Sequence, residues 1–279
     1  GKWFSLIDKV GARRTLGAAW EQVRRNRGAA GVDRESIEQF GARAERDLTN
    51  LACDITSGRY RPAPVRRCYI PKPGTIQRRP LGIPTVRDRV VQGALRIVLE
   101  PIFERKFAAT SYGFRPGRSC KDALRRVVEL LEQGHVWVVD ADIAAYFDSI
   151  DHGILMADIE EEVADGRVLS LIEAYLKAEV LEAATSWEPE KGTPQGGIIS
   201  PMLANIYLHY ALDLWCIRAF AKTCDGLARL IRYADDFVVS FRFESDAKRF
   251  RMELDGRLAK FGLEVAARME LDDARPVAG

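Results

Sequence analysis

Acidic residues occur at two places where apolar, β-prone sequence is interrupted. The first is the sequence DADIAAYFD at residues 140–148, which follows the apolar run at residues 136–139. The second is YADDF at residues 233–237, where two adjacent acids separate what read as two short strands. A carboxylate at the end of a buried strand needs a partner, because burying an unpaired charge is costly. Hard cations such as Mg²⁺ take carboxylate oxygens, so the two motifs predict a divalent metal site.

Such a site could perform nucleotidyl transfer. Two divalent ions can activate a 3′-hydroxyl and stabilise a leaving pyrophosphate during in-line displacement at phosphorus. Either acidic motif alone has a simpler explanation, because an isolated Asp-Asp pair in a turn is more often solvated than catalytic. Their coincidence at the ends of two apolar runs favours metal chemistry but does not separate a polymerase from a nuclease.

Four further motifs surround the acids. In chain order they are IPKPG at 70–74, RPLGIP at 79–84, YGFRPGRS at 112–119 and GTPQGG at 192–197. Together with residues 142–148 and YADD at 233–236, they resemble the motif series of group II intron reverse transcriptases in both order and interval. The resemblance covers about residues 15–265. One such motif would be weak evidence, whereas six in order are very specific.

The resemblance implies an α+β fold of the right-hand polymerase type, with an antiparallel palm sheet packed on helices. Residues 1–134 would form a basic N-terminal extension and fingers. Residues 135–265 would form the palm, including part of the fingers between the acidic motif and GTPQGG. Residues 266–279 are expected to be a divergent, disordered tail that fits no packed element, and no thumb is expected within the chain.

The implied activity is RNA-directed DNA synthesis with two Mg²⁺ ions, Mn²⁺ being the alternative ion. The implied partners are an RNA template, a DNA or RNA primer and dNTPs, together with intron RNA or a further domain that supplies a thumb. A domesticated reverse transcriptase of CRISPR adaptation or phage defence would share the same motifs. Two other classes remain open: a catalytically impaired RNA-binding module, and an RNA-dependent RNA polymerase or template-independent transferase.

The resemblance also assigns individual residues. The catalytic and metal-binding acids are Asp142, Asp235 and Asp236, with Ile143 placed in both the metal and the nucleotide site; nucleotide binding is further assigned to Lys72, Arg79, Phe147 and Gln195, and template or primer binding to Arg115, Arg118, Gly196 and Tyr233.

Several of these assignments have a plain structural alternative. A point charge at residue 72 and a forked cation at residue 79 suit a triphosphate, but solubility also explains cations at a hairpin tip. Phe147 is implied to exclude a 2′-hydroxyl with Tyr146 turned inward, although both rings could lie in the core. Arg115 and Arg118 could equally organise the fingers. GTPQGG could be a plain turn in which glycine permits close backbone approach.

The sequence departs from the family pattern near its C-terminal end. The family has a lysine after the segment that corresponds to residues 262–264, and the resemblance assigns that lysine to protonating pyrophosphate. Met269 stands at about this position, with Arg268 beside it. That role is therefore not carried over to this chain.

The local pattern predicts the elements that position these residues. Helices are expected within 15–60, at 86–107, from Ser119 to Gly134, at 153–164 and 166–182, from Ser200 to about residue 214, and at 245–261. Strands are expected at 65–70 and 80–83 around the turn at 71–75, at 136–143, and as a pair within 230–241.

Charge is distributed unevenly along the chain. The net charge is +2, but residues 1–126 contain 27 Lys and Arg against 12 Asp and Glu, and the remainder contains 15 against 28. A basic half suits phosphate contact and an acidic half suits cations, although solvated surface explains both equally well.

Five scattered cysteines predict reduced thiols. With no apolar run of about 20 residues and no signal-like N-terminus, a bacterial-type cytoplasmic protein is expected.

Overall fold

The computed structural model describes residues 1–71, 76, 78–182 and 185–273, with side chains as far as residue 266. The chain forms two compact units, each built from two separate segments. Unit 1 comprises Gly1–Arg105 and His152–Leu203, and unit 2 comprises Lys106–Asp151 and Ala204–Gly279. The units divide the chain at positions other than the predicted domain boundary after residue 134.

The helices and strands of the described residues alternate irregularly, as expected for an α+β fold. The helices are α1 (Ile7–Val10), α2 (Arg13–Asn26), α3 (Ile37–Gly41), α4 (Ala44–Thr56), α5 (Val86–Phe103), α6 (Cys120–Glu132), α7 (Tyr146–Ser149), α8 (His152–Glu160), α9 (Gly166–Leu176), α10 (Ser200–Leu208), α11 (Leu214–Arg218) and α12 (Glu244–Ala259). The strands are β1 (Val65–Pro71), β2 (Arg78–Ile83), β3 (Trp137–Ile143), β4 (Val180–Glu182), β5 (Thr185–Trp187), β6 (Ala228–Tyr233), β7 (Asp236–Phe241) and β8 (Val265–Asp273).

Unit 1 contains a four-stranded sheet in the order β2-β1-β4-β5. Strands β1 and β2 form the predicted antiparallel hairpin, with Ile70 opposite Arg79, whereas β1 and β4 run parallel. The hairpin tip at residues 72–75 and 77 lies outside the described residues. Helix α5 is buried over most of its surface and packs on α2. Its N-cap is Thr85, whose side chain accepts a hydrogen bond from the Asp88 amide.

Unit 2 contains an antiparallel four-stranded sheet in the order β6-β7-β3-β8. Helix α6 packs on β6 and β7, and α12 packs on β3 and β7. Helix α6 begins after Ser119 as predicted, and its N-terminus has a capping box, because Ser119 and Asp122 each accept a hydrogen bond from the other's backbone amide. Phe220, Phe241 and Phe250 lie edge-on or tilted against one another and fill the core beside the sheet.

Three predictions about elements differ from the structure. The helix predicted for 166–182 ends at Leu176, and residues 180–182 instead form β4, because a parallel partner, β1, pairs with them. The helix beginning at Ser200 contains a π-helical turn at His209–Asp213 before α11. The predicted absence of a packed element after residue 266 is wrong, since β8 pairs with β3 along its length. No helix among the described residues is long and apolar enough to cross a membrane.

Candidate active site

Strand β3 carries two acids on one face. Val139, Ala141 and Ile143 are buried, whereas Asp140 and Asp142 between them are exposed. This alternation follows from the period of two in a β-strand, which points successive side chains to opposite faces. The backbone amide of Ile143 donates to Asp142 Oδ1 at 2.8 Å. Because the side chain of Ile143 lies in the core, only its main chain can contribute to the predicted metal or nucleotide site.

The other two acids lie where β6 turns into β7. Tyr233 and Asp236 form the last strand pair, so Ala234 and Asp235 make the two-residue turn between them. Ala234 has φ of 60°, in the left-handed region that L-residues other than glycine seldom adopt. Tyr233 is partly exposed. The turn therefore projects adjacent carboxylates from the end of a rigid hairpin.

The acids of β3 and of the turn share one end of the unit 2 sheet. Strands β3 and β7 are antiparallel neighbours with Ala141 opposite Phe237, so one further step along the register leads to Asp142 and Asp236. Burial raises the pKa of Asp236, and the negative charges of Asp235, Asp142 and Asp140 raise it further. A cation bound at this position would reduce the electrostatic repulsion among these carboxylates.

The donor set at this end of the sheet fits a magnesium ion. Among the described residues, no three acidic, histidine or cysteine side chains are arranged to hold a metal by themselves. Mg²⁺ does not need such a cage, because it is commonly held by one or two carboxylates together with water and substrate phosphates. Asp142 and Asp235 are the side chains that would hold it, with Asp236 and Asp140 adding negative charge nearby.

Two aromatic residues follow the first acidic motif and face different surroundings. Ala145 has φ of 45°, and this bend starts the short helix α7. Tyr146 is buried and its hydroxyl donates to the carbonyl oxygen of Ala204. Phe147 is half-buried and lies edge-on to the exposed ring of Phe114, with centroids 6.5 Å apart. Of the two rings, Phe147 is the one with surface available to a sugar.

The two arginines assigned to the template hold a loop of unit 2. Arg115 is buried, and its Nη1 donates to the carbonyl oxygens of Ala108 and Ser111 at 2.6 and 2.7 Å. Arg118 Nη1 donates to the carbonyl of Ala109 at 2.6 Å, and its guanidinium lies over the ring of Tyr112. These contacts favour the structural alternative for Arg115, because its side chain has almost no exposed surface for a template.

The remaining assigned residues lie in unit 1. Arg79 is exposed on β2, and Gln195 is half-buried, with its carbonyl oxygen accepting from the Gly82 amide at 2.6 Å. Gly196 has φ of 116°, and a Cβ there would come within 2.5 Å of the Gly82 carbonyl oxygen. Glycine is thus required at residue 196 for close approach of the motif to β2. Lys72 lies outside the described residues.

Sequence reasoning missed the residues that support the turn at residues 233–236. A Cβ at Gly113 would come within 2.2 Å of the Ala234 amide nitrogen, so this glycine packs directly on the turn. Arg232, Asn205 and Asp213 are buried beneath it and connected by hydrogen bonds. One available signal was Arg232 itself, a cation that directly follows the apolar residues Leu230 and Ile231 in β6. Asp140 could also have been placed near the site from the sequence, because residues two apart in a strand lie on the same face and Asp142 follows it by two.

The charge asymmetry of the two sequence halves does not persist in the folded units. Unit 1 contains 24 Lys and Arg against 21 Asp and Glu, and unit 2 contains 18 against 19. The reason is that each unit combines a segment from the basic half with one from the acidic half. The charge asymmetry that remains is therefore local, as in the carboxylates at the end of β3.

Comparison with known proteins identifies the family. The sequence profile described as reverse transcriptase (RNA-dependent DNA polymerase) matches residues 70–268. The group II intron-encoded protein LtrA of Lactococcus lactis subsp. cremoris is 42% identical over 196 residues, covering 68% of this chain and 32% of LtrA. Protein YkfC of Escherichia coli (strain K12) is 40% identical over 183 residues, covering 64% of this chain and 48% of YkfC. The chain spans less than half the length of these relatives.

Solved structures share the fold. A chain of a structure titled partial Cas6-RT-Cas1–Cas2 complex aligns with a TM-score of 0.51 and 22% identity, over 91% of this chain and 41% of that one. Apo telomerase from Candida tropicalis aligns with a TM-score of 0.56 and 14% identity, over 77% of this chain and 51% of that one. These findings confirm the resemblance to group II intron proteins, and the chain belongs to the reverse transcriptase (RNA-dependent DNA polymerase) family.

Proposed function

We propose that this protein is an active RNA-directed DNA polymerase of the group II intron type that uses two divalent metal ions. The observation that supports this most directly is the convergence of Asp142 with Asp235 and Asp236 at one end of the unit 2 sheet. A purely structural role explains this cluster of carboxylates poorly. The cluster brings like charges together, which lowers stability, whereas a structural ion pair would bring opposite charges together.

Each assigned residue has a role in this proposal. Asp142 and Asp235 hold the ions, which when bound supply activation of the primer hydroxyl and charge stabilisation of the leaving pyrophosphate. Arg79 binds triphosphate oxygens through its forked guanidinium, with Lys72 beside it. Phe147 excludes the 2′-hydroxyl of a ribonucleotide. Gln195 contacts the nucleotide or the template base.

The partners proposed for this chain are those of an RNA-directed DNA polymerase. An RNA template, a primer and dNTPs are the substrates of RNA-directed synthesis. Relatives include a group II intron-encoded protein and a nuclear intron maturase of Arabidopsis thaliana, which favours intron RNA as a further partner. A similar solved chain belongs to a complex titled with Cas6, Cas1 and Cas2, so a role in CRISPR adaptation is the alternative setting for the same chemistry.

Primer extension on an RNA template with dNTPs and Mg²⁺ tests the proposal. The parent should incorporate nucleotides, whereas Asp142→Ala and Asp235→Ala should lower incorporation by about a hundredfold or more, as loss of transition-state electrostatics does elsewhere. Asp255→Ala is a matched control, because this acid is exposed on α12 in the same unit. Template binding without incorporation by any form would instead identify an RNA-binding module.

The Phe147→Ala variant tests the sugar wall separately. Removing the ring should raise the ratio of ribonucleotide to deoxyribonucleotide incorporation by about tenfold or more, within the range that pocket contacts provide. Tyr146→Phe is the comparison, because it changes only a buried hydroxyl on the adjacent residue. Unchanged sugar selectivity in the Phe147 variant would remove this residue from the proposed role.

A further inference from the structure

A buried arginine lies directly behind the turn at residues 233–236. Arg232 stands two residues before Ala234, and its side chain has no exposed surface. Its Nε and Nη2 donate to the two carboxylate oxygens of Asp213 at 2.8 and 2.7 Å. Asp213 is equally buried, so the forked pair is closed to solvent and geometrically defined.

The third nitrogen of the guanidinium points to the turn. Arg232 Nη1 donates to the carbonyl oxygen of Ala234 and to Asn205 Oδ1, both at 2.9 Å. Asn205 Nδ2 in turn donates to the carbonyl oxygen of Gly113 at 2.8 Å. Since Gly113 packs on the Ala234 amide, the turn is held from below by the arginine and from the side by the glycine.

The π-helical turn at His209–Asp213 brings the two polar partners of Arg232 to one face of the helix. Residues eight apart in an α-helix differ in direction by about 80°, which would point Asn205 and Asp213 apart. A π-turn takes up one extra residue, so this eight-residue step ends within about 20° of its starting direction. Both side chains can then reach one guanidinium.

The turn needs this support because its conformation is unfavourable by itself. A non-glycine residue with φ of 60° persists only where the surroundings determine it. Three features determine it here: the hydrogen bond from Arg232 to the Ala234 carbonyl, the close approach of Gly113, and the strand pair Tyr233–Asp236.

We propose that Arg232, held by Asp213 and Asn205, is a positioning residue that fixes the left-handed Ala234 turn and thereby orients the Asp235 carboxylate for metal binding. The inference rests on the proposed polymerase function for its catalytic consequence. Its structural part, the restraint of residues 233–237, is independent of activity. Arg232 touches neither substrate nor metal, and it acts through the turn.

Asn205→Ala is the informative variant. It removes the bridge to Gly113 and one acceptor of Arg232 while keeping the buried Arg232–Asp213 pair, so the chain should still fold. Single-turnover incorporation should fall by about 10- to 100-fold, the scale of a misplacement of roughly 1 Å. The half-saturating Mg²⁺ concentration should rise, while affinity for primer–template stays within about twofold, since no substrate contact is changed.

Tyr207→Phe is the matched control. Tyr207 is as buried as Asn205, lies on the same helix, and donates to the Phe261 carbonyl away from the turn. It should lose stability to a similar degree and keep its incorporation rate and Mg²⁺ dependence. A purely structural role for Asn205 predicts that both variants behave alike once the folded fraction is matched.

A glycine pair tests the contact on the other side of the turn. Gly113→Ala places a Cβ against the Ala234 amide and should lower incorporation by about a hundredfold or more. Gly256→Ala on α12 has open space around its Cβ position and should leave incorporation unchanged. Equal rates in the two alanine variants would overturn the proposal.

Hydrogen exchange separates this inference from the polymerase proposal. In the chain without substrates, Asn205→Ala should accelerate amide exchange at residues 233–237 by about tenfold or more, and Tyr207→Phe should not. If the parent makes no DNA but this acceleration is seen, the polymerase proposal fails and the restraint of the turn stands. If the parent makes DNA and Asn205→Ala changes neither exchange nor rate, the positioning role is wrong.

Discussion

Asp88 in unit 1 and Asp213 in unit 2 are both buried, but their pKa values are shifted in opposite directions. Asp88 of unit 1 accepts hydrogen bonds from the hydroxyls of Tyr60 and Thr85 and from the Ala63 amide. Burial raises the pKa of Asp88, and these hydrogen bonds do not offset it. Asp213 of unit 2 is also fully buried, but the charge and hydrogen bonds of Arg232 outweigh burial and hold its pKa below the usual value.

The difference shows that the charge of the partner, more than burial, decides whether the pKa of a buried acid is raised or lowered. Around Asp88 the hydrogen-bond donors are two hydroxyls and a backbone amide, none of which carries a charge, and they organise the start of α5. Around Asp213 the full counter-charge of Arg232 lowers the pKa of the carboxyl group, and the pair anchors Arg232 behind the turn at residues 233–236. The hydrogen bonds to Asp88 stabilise the fold. The Asp213–Arg232 ion pair stabilises the fold and also fixes the direction in which the Arg232 guanidinium points.

The largest expected effect is on the ion pair. Asp213→Asn leaves Arg232 buried without a counter-charge and should lower the free energy of unfolding by about 3–5 kcal/mol. Urea denaturation followed by circular dichroism measures this. Asp255→Asn, exposed in the same unit, should change stability by no more than about 0.5 kcal/mol. A loss below about 1 kcal/mol for Asp213→Asn would show that the pair is not effectively desolvated.

Removing the Asp88 carboxyl group should lower the free energy of unfolding by less than breaking the Asp213–Arg232 pair does. Asp88→Ala leaves the hydroxyls of Tyr60 and Thr85 and the Ala63 amide without their acceptor, with an expected loss of about 1–3 kcal/mol. Asp88→Asn keeps an acceptor oxygen and should cost less than the alanine variant. If Asp88→Asn were as harmful as Asp213→Asn in the same urea experiment, Asp88 would have to be ionised in the folded protein.

The two acids should also respond oppositely to pH. Asp213, with a depressed pKa, contributes stability above its unfolded pKa of about 3.9 and loses it as pH falls through the folded value. Asp88, with a raised pKa, contributes fully below about pH 3.9 and loses that contribution as pH rises through the folded value. Unfolding free energies from about pH 2.5 to 8 should therefore show the parent's stability advantage over Asp213→Asn shrinking below about pH 3.9, and its advantage over Asp88→Asn shrinking as pH rises above about 3.9.

The smallest expected effect comes from a neutral hydrogen bond at the edge of the Asp88 cluster. The Tyr60 and Tyr175 hydroxyls contact one another at 2.5 Å. Tyr175→Phe should lower the free energy of unfolding by about 0.5–1.5 kcal/mol, the usual net value of such a bond. A larger loss, measured by the same denaturation, would indicate that the tyrosine pair and Asp88 act as one cooperative network.

Much of the site could be predicted because its signals are local. The acids end or interrupt apolar runs, the Ser119 capping box starts a helix, and the hairpin strands flank a turn. Strand β8 could also have been predicted, since its sequence alternates apolar and polar residues from Ala267 to Asp272. It was missed because the departure from the family pattern at Met269 outweighed this alternation, although Met269 pairs with Ala141 beside the acids.

The sequence by itself determined which side chains can do chemistry and the short elements that carry them, because the period of a strand and the cap of a helix depend on neighbours along the chain. Only the tertiary structure decided that each unit combines two distant segments, which removes the charge asymmetry of the sequence halves. It also decided that Arg232 meets Asp213, Asn205 and the turn. Such contacts depend on strand pairing and on one extra residue in a helix, and no local pattern encodes them.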